Sequence, residues 1–339
     1  MTPMERVLTT LSHEEPDRVP LFLLLTTQGA KEFNVSIEEY FSNPEMVAQG
    51  QIKMQHKYGH DCYYPFYYAS LEMEAWGSNS IFYPDGPPNS GRPILRDFQD
   101  IVSLEAPDVF ESLQLQKVLK TTEIIKEHAG EDIPIIGVVM SPFSLPTMQM
   151  GFGNYLDLIY EQPDIFNELM RINEQFCIQW ANAQIESGAT AICYFDPVSS
   201  STIIPPELYR DTGFKVAKRT IFRINGPTAT HMASGRCLPI INDIAETGTA
   251  VICTSVLEDL AEMKAVCKGK MTVLGNLNGL EMRHWTRQET EDHVKDAIQK
   301  AATGGGYIIS DNHGEIPYPV PSEVLKSVSE YVEKWGRYR

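Results

Sequence analysis

Asp311, His313 and Glu315 stand at alternate positions behind a short β-branched run, Tyr307 to Ser310, with Asn312 and Gly314 between them. Pro317, Pro319 and Pro321 follow. Proline has no N–H to give a ladder or a helix, so regular structure must stop there. Two carboxylic acids and an imidazole in one loop are the groups of proton transfer and of metal ligation. The same residues would also serve as a surface turn with a loop ion pair. What else lies at the ends of other strands decides between these readings.

Several polar groups occupy equivalent places. His231 closes the run Thr228-Ala-Thr-His231. Asp196 follows Ala191-Ile-Cys-Tyr-Phe195 and precedes Ser199-Ser-Ser201. Cys253 ends Ala250-Val-Ile-Cys253, and Asn276 and Asn278 follow Met271-Thr-Val-Leu-Gly275. Thr26, Thr27 and Gln28 follow Val19 to Leu25. Tyr67, Tyr68, Glu72 and Glu74 follow Asp61 to Phe66, and Ser141, Ser144, Met148 and Gln149 follow Ile133 to Val139. The opposite ends, such as Gly130-Glu-Asp132 and Gly248-Thr249, read as solvated turns. Plainer roles exist for each. His231 would serve as a core histidine bonded to a neighbouring carbonyl. Tyr67 and Tyr68 would serve as core and rim, and Cys253 as a small hydrophobe. If they line one pocket, Tyr67, Tyr68 and Met148 suit a planar ring, and Asn276 suits a polar substrate group.

The elements that must position these residues are eight short apolar runs separated by helical patterns. Nearly continuous apolar runs, rather than alternating ones, suit strands buried on both faces of a parallel sheet. Pro163 to Glu186 carries apolar residues at helical spacing and stops at Ser187-Gly188. Glu258 to Val266, Glu289 to Ala302 and Ser322 to Trp335 read likewise. The pattern predicts an α/β fold, a (β/α)8 barrel over 1–339, with an excursion at about 69–108. A doubly wound open sheet is the alternative, but no strand is followed by GxGxxG. In a parallel barrel the strand ends share one face, so the listed polar groups would converge there.

Composition narrows the function classes. With 28 Lys and Arg against 45 Asp and Glu, the formal charge is −17. That disfavours nucleic acid and anionic membranes as partners, since phosphate binding needs a basic face. No apolar stretch reaches the roughly 18 residues of a membrane span, and the charged N-terminus lacks the apolar core of a signal peptide. The expectation is a cytoplasmic protein. The six cysteines form no CxxC and read as reduced thiols.

Several segments together resemble the uroporphyrinogen decarboxylase superfamily, which includes corrinoid-dependent methyltransferases. They are MTPMERVLTTLSHEEPDRVP at the start, FDPVSS (Phe195 to Ser200), THMASG (Thr230 to Gly235), LGNLN (Leu274 to Asn278) and DNHGEIPYPVPSE (Asp311 to Glu323). Their order along nearly the whole chain carries the resemblance. It implies a (β/α)8 barrel, in agreement with the strand count. The decarboxylase branch holds tetrapyrrole carboxylates with arginines after the first strand. Here that loop is LTTQGAKEF, Leu25 to Phe33, without arginine, so a polyanionic substrate would lack charge-assisted partners.

The resemblance therefore implies the methyltransferase branch, of O-demethylase type. Members often hold zinc through His-x-Cys and a distant Cys in the eighth-strand loop. His231 is kept, but Ala233 and His313 occupy the cysteine positions. A zinc site that activates a thiol carries thiolates of its own, so their loss argues against methylcobalamin:thiol transfer. What is implied is methyl transfer from a methoxylated aromatic, or another O- or N-methyl compound, to the Co(I) corrinoid of a partner protein. Zinc or a protonated acid would stabilise the leaving oxygen. His231, His313 and Cys253 are the implied metal ligands, with Asp196 and Glu315 as further ligands or acids. A homodimer is also raised by the resemblance. The competing readings are a metal-free decarboxylase-type lyase and a barrel that serves only as a binding partner.

Overall fold

The computed structural model describes residues 1–338. Six parallel strands run in chain order: Ile136–Met140, Ala191–Phe195, Thr228–His231, Val251–Cys253, Thr272–Leu274 and Tyr307–Ile308. Each pairs with the next, so that Cys193 faces Ala229 and Phe195 faces His231. They are the third to eighth strands of a (β/α)8 barrel.

The first and second positions close the ring as extended segments joined by single bridges. Leu21 bridges to Ile309 and Tyr63 bridges to Ile135, both parallel, and the Asp61 N–H donates to the Leu21 carbonyl at 2.7 Å. The sequence reading expects full strands at 19–25 and 61–66. Pro20 and Pro65 lack the N–H groups that a ladder would use. The Leu21 N–H is taken by the Asp61 carboxylate at 2.8 Å. The runs are extended, but they are hydrogen-bonded only in part.

The helices form where their ends are signalled. Thr2 and Glu5 make a capping box before Pro3–Leu11, and Thr286 and Glu289 do so before Arg287–Ala301. Pro163–Glu186 starts on a proline at its first turn. Ser322–Trp335 ends the chain's helices. Pro3–Leu11 lies across the N-terminal face of the barrel. It is held there by the Met4 N–H on the Asp132 carbonyl, 2.8 Å, and by Arg6 on Asp17 and Asp61.

The segment at 69–108 holds the helix Leu71–Ala75 and the 3-10 helix Phe98–Ser103. Between them Ser80–Ile81 pairs with Asn89–Ser90 as an antiparallel hairpin. The Leu95 N–H donates to the Gln149 carbonyl at 2.9 Å, tying this segment to the loop after the third strand. Among the described residues, no helix is long and apolar enough to cross a membrane.

Candidate active site

Strand register places Cys193, Phe195, Ala229 and His231 on the inner face of the barrel. His231 is thus carried to the barrel mouth by the fifth strand, where its ring stacks on Phe195 at 5.1 Å and 24°. Its chain then turns sharply: Ala233 has φ 48°, a left-handed conformation that a residue with a Cβ rarely adopts. The turn brings the Ala233 N–H back to His231 Nδ1 at 3.0 Å. It also places the Ser234 hydroxyl against His313 Nδ1.

The eighth-strand loop folds over this pair. Asp311 Oδ2 accepts the N–H of His313 at 2.7 Å and of Gly314 at 3.1 Å, which winds the loop into a tight turn. Gly314 has φ 86°, and a Cβ there would meet Phe195 Cε2 at 2.6 Å and His231 Cε1 at 3.1 Å. Only glycine lets the loop come this close. The Gly314 carbonyl accepts the Tyr64 hydroxyl at 3.0 Å. Beyond the turn, Glu315 accepts the Thr26 hydroxyl from the first-strand loop.

Electrostatics set the protonation of these groups. Burial pushes Glu315 up to about 7, against the Thr26 hydrogen bond, and the nearby Asp311 adds to the rise. Burial also raises Asp311 to about 6, opposed by its backbone hydrogen bonds. No lysine or arginine is among the groups that shift either carboxyl. His231 is driven down to about 3 by burial, with His313 contributing, and His313 is lowered by burial. The mouth therefore holds neutral imidazoles and two carboxyls with raised proton affinity, of which Glu315 keeps its proton into the neutral range.

A neutral imidazole that accepts at Nδ1 carries its proton on Nε2. His231 Nε2 is buried and has no partner, as are His313 Nε2 and Asp311 Oδ1. His231 thus offers an N–H to the mouth, not a lone pair. Zinc-ligating histidines donate through the second nitrogen, the reverse of this arrangement. Nor does the structure gather the three expected ligands: among the described residues, no group of three His, Cys, Asp or Glu side chains could hold a metal ion. Cys253 lies deeper in the barrel, its thiol 4.0 Å from the Asp311 carbonyl and kept protonated by burial. As arranged, the donor set does not fit a zinc ion.

The other expected residues fall in varied places. Asp196 is buried, and Oδ1 accepts both Ser141 and Ser144 hydroxyls at 2.6 Å; its N–H donates to the His231 carbonyl at 2.7 Å. It ties the third-, fourth- and fifth-strand ends together. Tyr67 and Tyr68 sit outside the barrel wall. Tyr67 stacks on Phe41 and its hydroxyl meets Thr121 Oγ1 at 2.7 Å. Tyr68 donates to Glu74 at 3.1 Å. Met148 is half-buried on the short helix Pro146–Gln149. Asn276 donates to the Ser255 carbonyl at 3.1 Å and lines a separate polar cleft beside Trp285 and Lys300. The sequence reading missed Phe195 and Ser234 as site residues. Phe195 was reachable by alternation from Cys193, whereas Ser234 reaches His313 only because Ala233 turns left-handed.

The closed parallel barrel and its polar mouth define the class of molecule, a (β/α)8 barrel with its site on the βα-loop face. Residues 2–335 match the uroporphyrinogen decarboxylase (URO-D) family, and the chain belongs to it. The methylcobamide:CoM methyltransferase MtaA of Methanosarcina barkeri is 25% identical over 329 residues, 95% of each chain. A uroporphyrinogen decarboxylase of Xylella fastidiosa is 22% identical over 357 residues, covering 98% of this chain and 99% of its own. The solved structure of a methyltransferase from Methanosarcina mazei superposes with a TM-score of 0.87, at 21% identity, over 98% of this chain and 99% of that one. That likeness shows the fold.

Proposed function

We propose that the chain is a corrinoid-dependent methyltransferase. It would take the methyl group of a methoxylated aromatic, or of another O- or N-methyl compound, to the Co(I) corrinoid of a partner protein. The observation that carries this reading is the pair of carboxyls, buried Asp311 and half-buried Glu315, beside neutral imidazoles with no cation to hold them ionised. A departing alkoxide or phenolate needs a proton or a hydrogen-bond donor. A thiol acceptor needs the opposite, a group that removes or neutralises its proton. A polycarboxylated tetrapyrrole needs cations.

The corrinoid supplies the electron pair that receives the methyl carbon. On the protein side, the carbon–oxygen bond breaks, its electrons stay on oxygen, and the oxygen takes the Glu315 proton. The His231 Nε2–H donates to the same oxygen as charge develops. Glu315 is then reprotonated from water. Phe195 and Met148 would flank the donor's ring, and Asp196 positions His231 through the backbone. A cytoplasmic setting accords with this chemistry.

The relatives' names favour methyl transfer, and the decarboxylases among them keep the lyase reading as the competitor. The test is to supply cob(I)alamin with a panel of methoxylated aromatics and methylamines and follow methyl–cobalt absorbance. Formation of the methylated corrinoid, lost at least about 100-fold in Glu315→Gln, supports the proposal. Methylation of a thiol by methylcobalamin, or CO2 release from uroporphyrinogen, would overturn it. Zinc assistance is measured separately, by metal content. Near one zinc per chain, absent from His231→Ala and His313→Ala, would show that the His231 ring turns to ligate.

A further inference from the structure

The barrel interior is not filled. In most barrels of this kind, layers of bulky branched side chains pack the lumen solid. Here Ala191, Ala229 and Ala250 stand at or beside the starts of the fourth, fifth and sixth strands, with Cys193 and Cys253 further in. These small side chains leave a cavity of ≈ 100 Å3 that opens to solvent. Its walls are almost wholly apolar, and no Asp, Glu, Lys or Arg lines it. Its mouth lies on the N-terminal face, opposite the candidate active site, between the strand starts and Pro3–Leu11. Leu8 of that helix lines the opening and is 55% exposed. Ala191, Ala229 and Ala250 are only partly covered. At the far end Tyr64 and His231 form the roof, and the Tyr64 hydroxyl is already committed to the Gly314 carbonyl.

We propose that this lumen is a second ligand site, for an uncharged, largely hydrocarbon molecule of one ring entering from the N-terminal face. An apolar cavity of about 150 Å3 stays dry and takes up benzene, and this one, of ≈ 100 Å3 behind an open mouth, is of the same order. Charge is excluded because an ion inside would lose its water with no partner. Aromatic walls from Phe22 and Tyr64 favour a ring. The helix Pro3–Leu11 is held by two ion pairs from Arg6, so the entrance is preformed. The site is independent of the methyltransferase reading.

The test uses the full chain and toluene, titrated by calorimetry, with benzoate as the charged control. The expected result is saturable binding of toluene and at least 10-fold weaker binding of the anion. Ala191→Leu fills the lumen near its entrance, and Leu8→Glu charges the rim at an exposed helix position. Each should weaken toluene binding at least 10-fold while the thermal transition of Leu8→Glu stays that of the wild type. No saturable binding to the wild type, equal binding of the anion, or unchanged affinity in the folded Leu8→Glu variant would each overturn the proposal.

Discussion

Two buried aspartates lie at opposite ends of the barrel, and their surroundings differ in kind. Asp61, at the N-terminal end, receives Arg6 at 2.6 Å, Arg18 at 2.7 and 3.1 Å, and the Leu21 N–H at 2.8 Å. Asp311, at the C-terminal end, receives two backbone N–H groups on one oxygen and nothing on the other. The first is a saturated network that fastens Pro3–Leu11 and the first two strand positions. The second is a carboxyl held in place yet left with capacity to interact. Buried polar groups are ordinarily satisfied, so the unsatisfied end is the one arranged for a ligand.

The largest effect is expected at the saturated end. Asp61→Ala takes the buried carboxylate from two guanidinium groups with side-chain exposures of 9% and 13%, leaving Arg6 on Asp17, Arg18 on Glu333 and the buried Leu21 N–H without its acceptor. Loss of one partner of a buried pair costs about 3–5 kcal/mol. Urea unfolding should show that loss, and a variant as stable as the wild type would remove the distinction between the two ends. Gly314→Ala comes next. It combines a φ of 86° with a Cβ placed 2.6 Å from Phe195. The expected outcome is a protein that folds but loses about 1–3 kcal/mol, with Phe195 and His231 displaced and methyl transfer abolished.

Glu315 sharpens the comparison through pH. Its folded value of about 7 lies above the ordinary 4.5. Between those values the folded chain holds a proton that the unfolded chain releases. Stability from this group is therefore full below about pH 4.5 and falls as pH rises through about 7. Glu315→Gln cannot ionise, so it should match the wild type at pH 4 and exceed it at pH 8, by at most about 3 kcal/mol and less for the group's partial exposure. Methyl transfer by the wild type should decline as pH rises through about 7, because the proton donor is lost. A stability difference that does not change with pH would show that Glu315 titrates alike in the folded and the unfolded chain.

Much of the barrel was legible because it is written in local pattern. The fourth and fifth strands and the helices Pro163–Glu186 and Ser322–Trp335 begin and end where apolar spacing and terminal residues put them. The first two strand positions were legible as extended runs but not as bridges, because Pro20, Pro65 and the Asp61 carboxylate act on hydrogen bonding that no apolar pattern reports. At the site, the strand-end rule pointed to His231, His313, Asp311 and Glu315, and the fold brings them to one mouth. It could not tell that Tyr67 and Tyr68 both pack on Phe41, since they lie past the extended run, where no strand alternation orders them. Nor could it give the His231 tautomer, which depends on a backbone N–H two residues on.

That backbone N–H is where the smallest effect should appear. Ala233 holds φ 48°, and an L-residue with a Cβ pays about 1–2 kcal/mol to stay there. Glycine removes that strain but brings its own entropy cost, roughly 0.5–1 kcal/mol. Ala233→Gly should therefore change stability by less than about 1 kcal/mol, in the stabilising direction. Its effect on the site should be opposite. The N–H that fixes His231 Nδ1 as acceptor becomes free to leave, and Ser234 loses its hold on His313. The Nε2–H then ceases to be the single favoured tautomer, and methyl transfer should slow several-fold while stability rises. Nitrogen chemical shifts of His231 read the tautomer directly. If they are identical in Ala233→Gly and wild type, the strained turn is not what sets the ring, and its retention in place of glycine has no account in this geometry.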